Sequence, residues 1–397
     1  MTVPTLAPTL LVENPRLPLL VVGPSLGTTT ALWEPVAALL GDRFEVLGFD
    51  LPGHGRSPTA TAAYDVAELA SAVAGLVAER QAARGDSGAT VLYAGDSLGG
   101  VIGLQLLLDV PWLVRAAVVL ASAARIGEPS GWQERATLVR SEGTKAVVDG
   151  SRQRWFATGF PERRPDVTEP LLATLADVDD ESYALACEAL AAFDVRDRLD
   201  RIGVPVLVVS GTDDPVAPPE LGAAVAAGVR RGRAEVLAGI GHLPPAEDPL
   251  LLADLLGRFL LDHVTVRETY DAGLAVRRSV LGDAHVDQAT AAIDDTTRDF
   301  QELITRYAWG TIWTRPGLDR RSRSMITLTA LVAHAHWHEL AMHVRAALTN
   351  GLSREEIVEV LLQSAIYCSV PSANSAFRVA QQVFDEIDST TTDEGNS

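Results

Sequence analysis

Ser97 sits in Gly95-Asp96-Ser97-Leu98-Gly99, and a serine hydroxyl becomes a nucleophile only when a base takes its proton. The base is commonly an imidazole, and it needs a carboxylate to hold its ring in place. Downstream of Ser97, VPVLVVSGTDDPVAPP (204–219) places Asp213 and Asp214 directly after an apolar run, and AEVLAGIGHLPPAEDP (234–249) places His242 in a turn after another. In a chain with 32 glycines a G-x-S-x-G pentapeptide alone is weak evidence. Its weight comes from the acid and the histidine that follow in order.

These side chains need elements to carry them. The runs 17–23, 43–50, 89–96, 114–122 and 204–212 are short, β-branched and bounded by turn residues, which predicts buried parallel strands. Stretches such as 66–83 have helical periodicity between them, so the first part of the chain is expected to be α/β with a parallel sheet. Ser97 then lies on a sharp strand-to-helix turn, with the helix LGGVIGLQLLLDV running up to Pro111. Gly95 and Gly99 let backbone approach without a Cβ to clash.

From about residue 270 the pattern changes to helices only. Asn350-Gly351 reads as a helix end, and Ser353 with Glu356 reads as a capping box for the next helix. The expected division is 1–263 (α/β), 264–390 (all-α) and a frayed polar tail, 391–397. Residues 125–200 would form a helical lid over the first site.

A net charge of −19 argues against nucleic acid. Lys145 is the only lysine, so cations are almost all arginine and each Arg is weak evidence of a site. Two distant cysteines, Cys187 and Cys368, make no disulfide framework or metal motif. The N-terminus has no basic stretch ahead of an apolar one, and no run approaches a membrane span, so a cytoplasmic protein is expected.

The elbow, its downstream acid and histidine, and the FDLPGHGRSP loop (49–58) resemble α/β-hydrolases. Their Gly-x-x-Asp pattern, here Gly211-Thr212-Asp213-Asp214, selects Asp214 over Asp213. The resemblance places the oxyanion hole on the backbone N–H groups of Ser25 and Leu98, and gives His54 to its turn rather than to chemistry. Dehalogenases and soluble epoxide hydrolases carry Asp at the elbow, which Ser97 disfavours. Esterases, lactonases and cofactor-free perhydrolases share the triad.

PSLGTTTALWEP (24–35), GDSLGG (95–100) and SGWQERATLVRSEG (130–143) are similar to 3-oxoadipate enol-lactonases. That resemblance implies that Trp132 and Arg135 bind the free carboxylate of a lactone, against a plainer reading as lid packing and a surface cation. It also implies attack by Ser97 with His242 as base; direct attack by water is the alternative route.

Residues 270–289, 299–333 and 338–367 resemble 4-carboxymuconolactone decarboxylase, whose product is the enol-lactone. The implied whole is a bifunctional, cofactor-free enzyme acting on small lactone carboxylates, assembled as a trimer or higher homo-oligomer through the helical domain. Glu339 and His343 are roughly 40° apart on a helix. They are expected to act as orienting partner and proton donor, with Arg323, Arg345 and His285 as substrate contacts. The matching helix has no cysteine, which argues against peroxide chemistry. In HAHWHELAMH (334–343), His338 and His343 are five apart and off one face, while His334 and His338 at i, i+4 lack a third ligand, so no metal is expected. Two other readings stand beside this one: a general carboxylesterase or perhydrolase with a non-catalytic helical oligomerisation domain, and a non-catalytic ligand-binding relative.

Overall fold

Runs such as Leu19–Gly23 and Ala116–Leu120 carry apolar residues at every position, so they are stable only where both faces are covered. In the computed structural model both are fully buried strands. It describes residues 3–85, 89–264, 266–294, 296–315 and 317–394, with side chains at 266–268 and 390–394 excepted. The strands are β1 (Pro8–Val12), β2 (Leu19–Gly23), β3 (Glu45–Phe49), β4 (Val91–Asp96), β5 (Ala116–Leu120), β6 (Pro205–Gly211) and β7 (Arg231–Leu237). They form one sheet in the order β1-β3-β2-β4-β5-β6-β7.

The sheet is mixed rather than purely parallel. β1 runs antiparallel to β3, Pro8 facing Phe49 and Leu10 facing Leu47, while the other six strands are parallel. The sequence expectation missed β1 because an edge strand is only partly buried and lacks the continuous apolar signature. At the opposite edge, Arg231, Arg233 and Glu235 charge β7 and discourage further pairing.

Helices Val66–Arg84 and Leu98–Asp109 pack beside the sheet. The first has a complete capping box, Asp65 with Glu68, and ends at Gly85 with φ +67°. Between β5 and β6 the chain leaves the sheet for helices Pro129–Glu142, Val148–Trp155, Phe160–Arg163, Pro165–Ala176 and Asp180–Ala192. Their inner faces, with Val139, Trp155, Leu172 and Tyr183, join the same apolar core as the strands.

The chain divides into two compact units, Met1–Thr265 and Val266–Ser397. Among its described residues the second unit is helical: Val266–Leu281, Asp283–Ala291, Arg298–Ile304, a π-helical stretch Thr305–Trp313, then Arg320–Ala333, Trp337–Thr349, Arg354–Tyr367 and Val370–Glu394. Leu328, Val332, Leu340, Val344, Ile357 and Leu361 form its main core. The last helix runs through 391–394, where a frayed tail was expected; 395–397 lie outside the described residues. A turn at 334–336, with Ala335 at φ +58°, separates two helices, so His334 and His338 do not share one helix face as their spacing suggested.

Candidate active sites

β4 ends at Asp96, and the next residue turns sharply into the helix Leu98–Asp109. Ser97 has φ +52° and ψ −111°, a conformation that costs a non-glycine residue free energy and exposes its hydroxyl above the sheet. Close packing locks the turn. A Cβ on Gly95 would lie 2.2 Å from the Gly99 carbonyl oxygen, and one on Gly99 would lie 2.4 Å from that of Gly23. The Ser97 N–H donates to Leu120 O at 2.8 Å, and the Ser122 hydroxyl donates to Ser97 O at 2.8 Å.

The loops after β6 and β7 deliver the partners. Ser97 Oγ lies 2.9 Å from His242 Nε2, and His242 Nδ1 lies 2.9 Å from Asp214 Oδ2. Asp214 Oδ1 accepts the Val216 and Ala217 N–H groups at 2.8 and 3.1 Å, which leaves Oδ2 for the imidazole. All three side chains are buried, whereas Asp213 is exposed and accepts the Thr212 hydroxyl. The Nδ1–H tautomer follows, because a carboxylate can only accept. This chain can move a proton from Oγ to Nε2 while Asp214 steadies the resulting imidazolium.

Ser25 and Leu98 bring their backbone beside Ser97, and among the described residues neither N–H has a protein acceptor. That leaves both free for a developing oxyanion. His54 supports this loop from behind. Its Nε2 accepts the Gly27 N–H at 3.1 Å, so its Nδ1–H donates to Pro52 O at 2.9 Å. Complete burial lowers its pKa to about 4, so the ring is neutral.

A cavity of about 320 Å³ opens over Ser97 and His242, walled by Trp132, Arg135, Arg154, Trp155 and Tyr183. Trp132 lines it as a packing surface, since its indole N–H already donates to Ile126 O at 2.6 Å. Arg135 donates to the Tyr183 hydroxyl at 2.9 Å and the Ser151 hydroxyl at 3.0 Å, both neutral. Among the described residues Arg154, which the sequence reading did not single out, has no carboxylate partner. Burial and the neighbouring Arg135 charge both lower its pKa. Two guanidiniums without an acid form a receptor for an anion.

Two acids, one buried and one half-buried, also escaped the sequence reading. Asp96 is fully buried, and burial, then the Asp214 charge, drive its pKa well up; the Ser25 hydroxyl offsets part of this, although neither carboxyl oxygen meets a partner at hydrogen-bonding geometry. Glu247 accepts the Gly241 N–H at 2.9 Å and the Ala157 N–H at 3.1 Å, while burial raises its pKa to about 7. No sequence motif marks either residue.

In the second unit the expected residues fare differently. Burial lowers His343 to about 4, with His285 as the next cause, so at neutral pH it can donate a hydrogen bond but holds no spare proton. Glu339 is exposed and makes no hydrogen bond to His343; it acts on the ring only through its charge. Arg345 is exposed and paired with Glu386. Arg323 donates to Arg315 O at 2.8 Å and lies beside Arg315 and Asp319, with no interaction linking it to His343. His285 does belong with His343, and Arg277, missed in the sequence, acts on it electrostatically.

Comparison with known proteins adds the families. The model of the alpha/beta hydrolase family matches residues 19–255, and that of the carboxymuconolactone decarboxylase family matches residues 298–382. A 3-oxoadipate enol-lactonase of Acinetobacter baylyi is 35% identical over 232 residues, 58% of this chain and 84% of that protein. A 4-carboxymuconolactone decarboxylase of the same organism is 40% identical over 120 residues, 30% of this chain and 90% of that protein. The solved enol-lactonase of Burkholderia xenovorans LB400 superposes with a TM-score of 0.59 at 32% identity, covering 65% of this chain and 95% of that one.

Proposed function

The chain belongs to the alpha/beta hydrolase family, fused to a carboxymuconolactone decarboxylase domain, and from that membership we propose two consecutive reactions in one polypeptide. Residues 264–390 decarboxylate 4-carboxymuconolactone, and residues 1–263 hydrolyse the resulting enol-lactone to 3-oxoadipate. The observation that carries the reading is the Ser97–His242–Asp214 hydrogen-bond chain beneath a cavity holding two arginines without acid partners.

In the hydrolase, His242 takes the Ser97 proton as Oγ attacks the lactone carbonyl. The oxyanion sits on the Ser25 and Leu98 N–H groups, and collapse expels an enolate, a far better leaving group than an alkoxide. His242 then activates water to release the acid. Arg135 and Arg154 hold the free carboxylate, which favours an anionic lactone over a neutral ester.

In the decarboxylase, the C–C bond to CO2 breaks and its electron pair moves through the ring double bond to the lactone carbonyl oxygen. A proton from water then reaches the carbon beside the carbonyl. His343, held neutral, donates a hydrogen bond to the developing charge. No organic cofactor or metal has a step to perform in either sequence.

We place the enzyme in the cytoplasm, as a trimer or higher homo-oligomer through the helical domain. Exposed Leu362, Ile366, Tyr367 and Val370 are in keeping with such an interface. No helix among the described residues is long and apolar enough to cross a membrane.

The test is Ser97→Ala incubated with 4-carboxymuconolactone and followed by NMR. Stoichiometric CO2 loss with accumulating enol-lactone is expected. A wild type inert toward that substrate would reject the decarboxylase half, and a variant still producing 3-oxoadipate would reject Ser97 as nucleophile.

A further inference from the structure

Among the described residues Arg277 is a charge without a counter-charge. Its residue is 7% exposed, its Nη1 donates to Gln301 Oε1 at 3.1 Å and Thr305 Oγ1 at 3.2 Å, and its buried Nε has no partner. Both acceptors are neutral, and among the described residues no carboxylate pairs with it. An isolated buried cation is costly, and proteins retain one where a ligand or a developing charge completes it.

The packing around it is tight. A Cβ on Gly273 would lie 2.1 Å from Thr305 O, and one on Gly310 would lie 2.3 Å from Thr269 O, so the helix Val266–Leu281 sits against the π-helical stretch with no slack. π-Helical turns often accompany functional sites. On the neighbouring side, Val276 and Val280 pack with Trp309 and with Ala346, which lies one turn beyond His343. Arg277 acts through its charge on His285, and His285 acts on His343, so a fixed cation and two imidazoles of lowered pKa are linked in series.

We propose that Arg277 is the electron sink of the second domain, the group that receives the negative charge leaving the scissile C–C bond. This rests on the decarboxylase reading of that domain. As CO2 departs, the electron pair moves through the ring C=C to the lactone carbonyl oxygen, which becomes an enolate oxyanion against the guanidinium; water then supplies the proton to carbon. A neutral imidazole cannot neutralise that charge without losing its own proton, whereas a guanidinium is charged throughout. The charge it stabilises exists only in the transition state and the intermediate, so the effect falls on kcat.

The test uses the full chain with Arg277→Gln and Arg277→Lys, reading decarboxylation of 4-carboxymuconolactone and, separately, hydrolysis of the enol-lactone. The Gln variant should lose about 10²–10³-fold in kcat with KM within about threefold, and the Lys variant should recover part of that loss. Enol-lactone hydrolysis should be unchanged in both, and near-UV circular dichroism reports whether the second domain is folded. A rise in KM with kcat unaltered, or unaltered kinetics in a folded Gln variant, would overturn the proposal. So would collapse of both variants, which would make Arg277 a structural residue. Failure of the wild type to decarboxylate this substrate would reject the parent reading instead.

Discussion

The main-chain carbonyl of Trp155, in the helical segment between β5 and β6, accepts the backbone N–H of His242 at 2.9 Å and that of Leu243 at 3.1 Å. The base of the triad is thus held by the element that covers it. Glu247 repeats the connection, since one carboxylate grips Gly241 on the histidine loop and Ala157 just after the helix Val148–Trp155. Any change that breaks these bonds also disturbs the proton acceptor of Ser97.

Glu247 should make stability depend on pH. Its pKa rises from 4.5 to about 7 on folding. Between those values the folded chain holds a proton that the unfolded chain has released, so this contribution to stability falls as pH rises through the window. Glu247→Gln lacks that proton, and the stability advantage of wild type over variant should shrink from pH 5 to pH 8. Urea midpoints across this range measure it; a gap independent of pH would exclude Glu247 as the titrating group.

His54 has the opposite sign. Its pKa falls from 6.5 to about 4, so below 6.5 the unfolded chain binds a proton that the folded one refuses, and stability drops as pH falls from 6.5 toward 4. His54→Gln should flatten that acid slope. Loss of the acceptor for Gly27 should also cost about 1–3 kcal/mol at pH 7. An acid slope identical to wild type would show that another group carries it.

Arg154 should govern discrimination rather than chemistry. Arg154→Met should raise KM for the enol-lactone about 10–100-fold, the equivalent of one charged hydrogen bond, and leave turnover of a neutral aryl acetate unchanged. Equal losses on both substrates would point to a damaged pocket.

Asp214→Asn should preserve the fold and lower kcat for lactone hydrolysis by about 10³–10⁴-fold, because an amide can hold the imidazole in the wrong tautomer. Decarboxylation measured on the same preparation should not change. A loss under tenfold would mean that the Asp214–His242 bond is dispensable.

Gly99→Ala tests the packing of the elbow. The new Cβ would meet the Gly23 carbonyl at 2.4 Å, backbone against backbone with nothing flexible to yield. A loss of roughly 3 kcal/mol or more is expected from thermal or urea unfolding. A wild-type melting temperature would show that the turn has room.

The chain itself determined whatever local chemistry can encode. Gly95 and Gly99 around Ser97, the β-branched runs before Asp214 and His242, and the switch to helical periodicity after the hydrolase are patterns of neighbouring residues, read within a few turns of chain. Other features were decided by the tertiary structure. β1 is a strand because β3 offers it an edge, and its own alternation is too weak to say so. Glu339 and His343 share a helix side by spacing, yet only packing determines that one is exposed while the other is partly buried. Arg154 and Arg277 look like any other arginine in a chain with one lysine; each becomes distinctive when folding withdraws it at least partly from solvent with no carboxylate partner among the described residues. Desolvation and the identity of a distant partner are properties of three-dimensional neighbours, and the local sequence does not contain them.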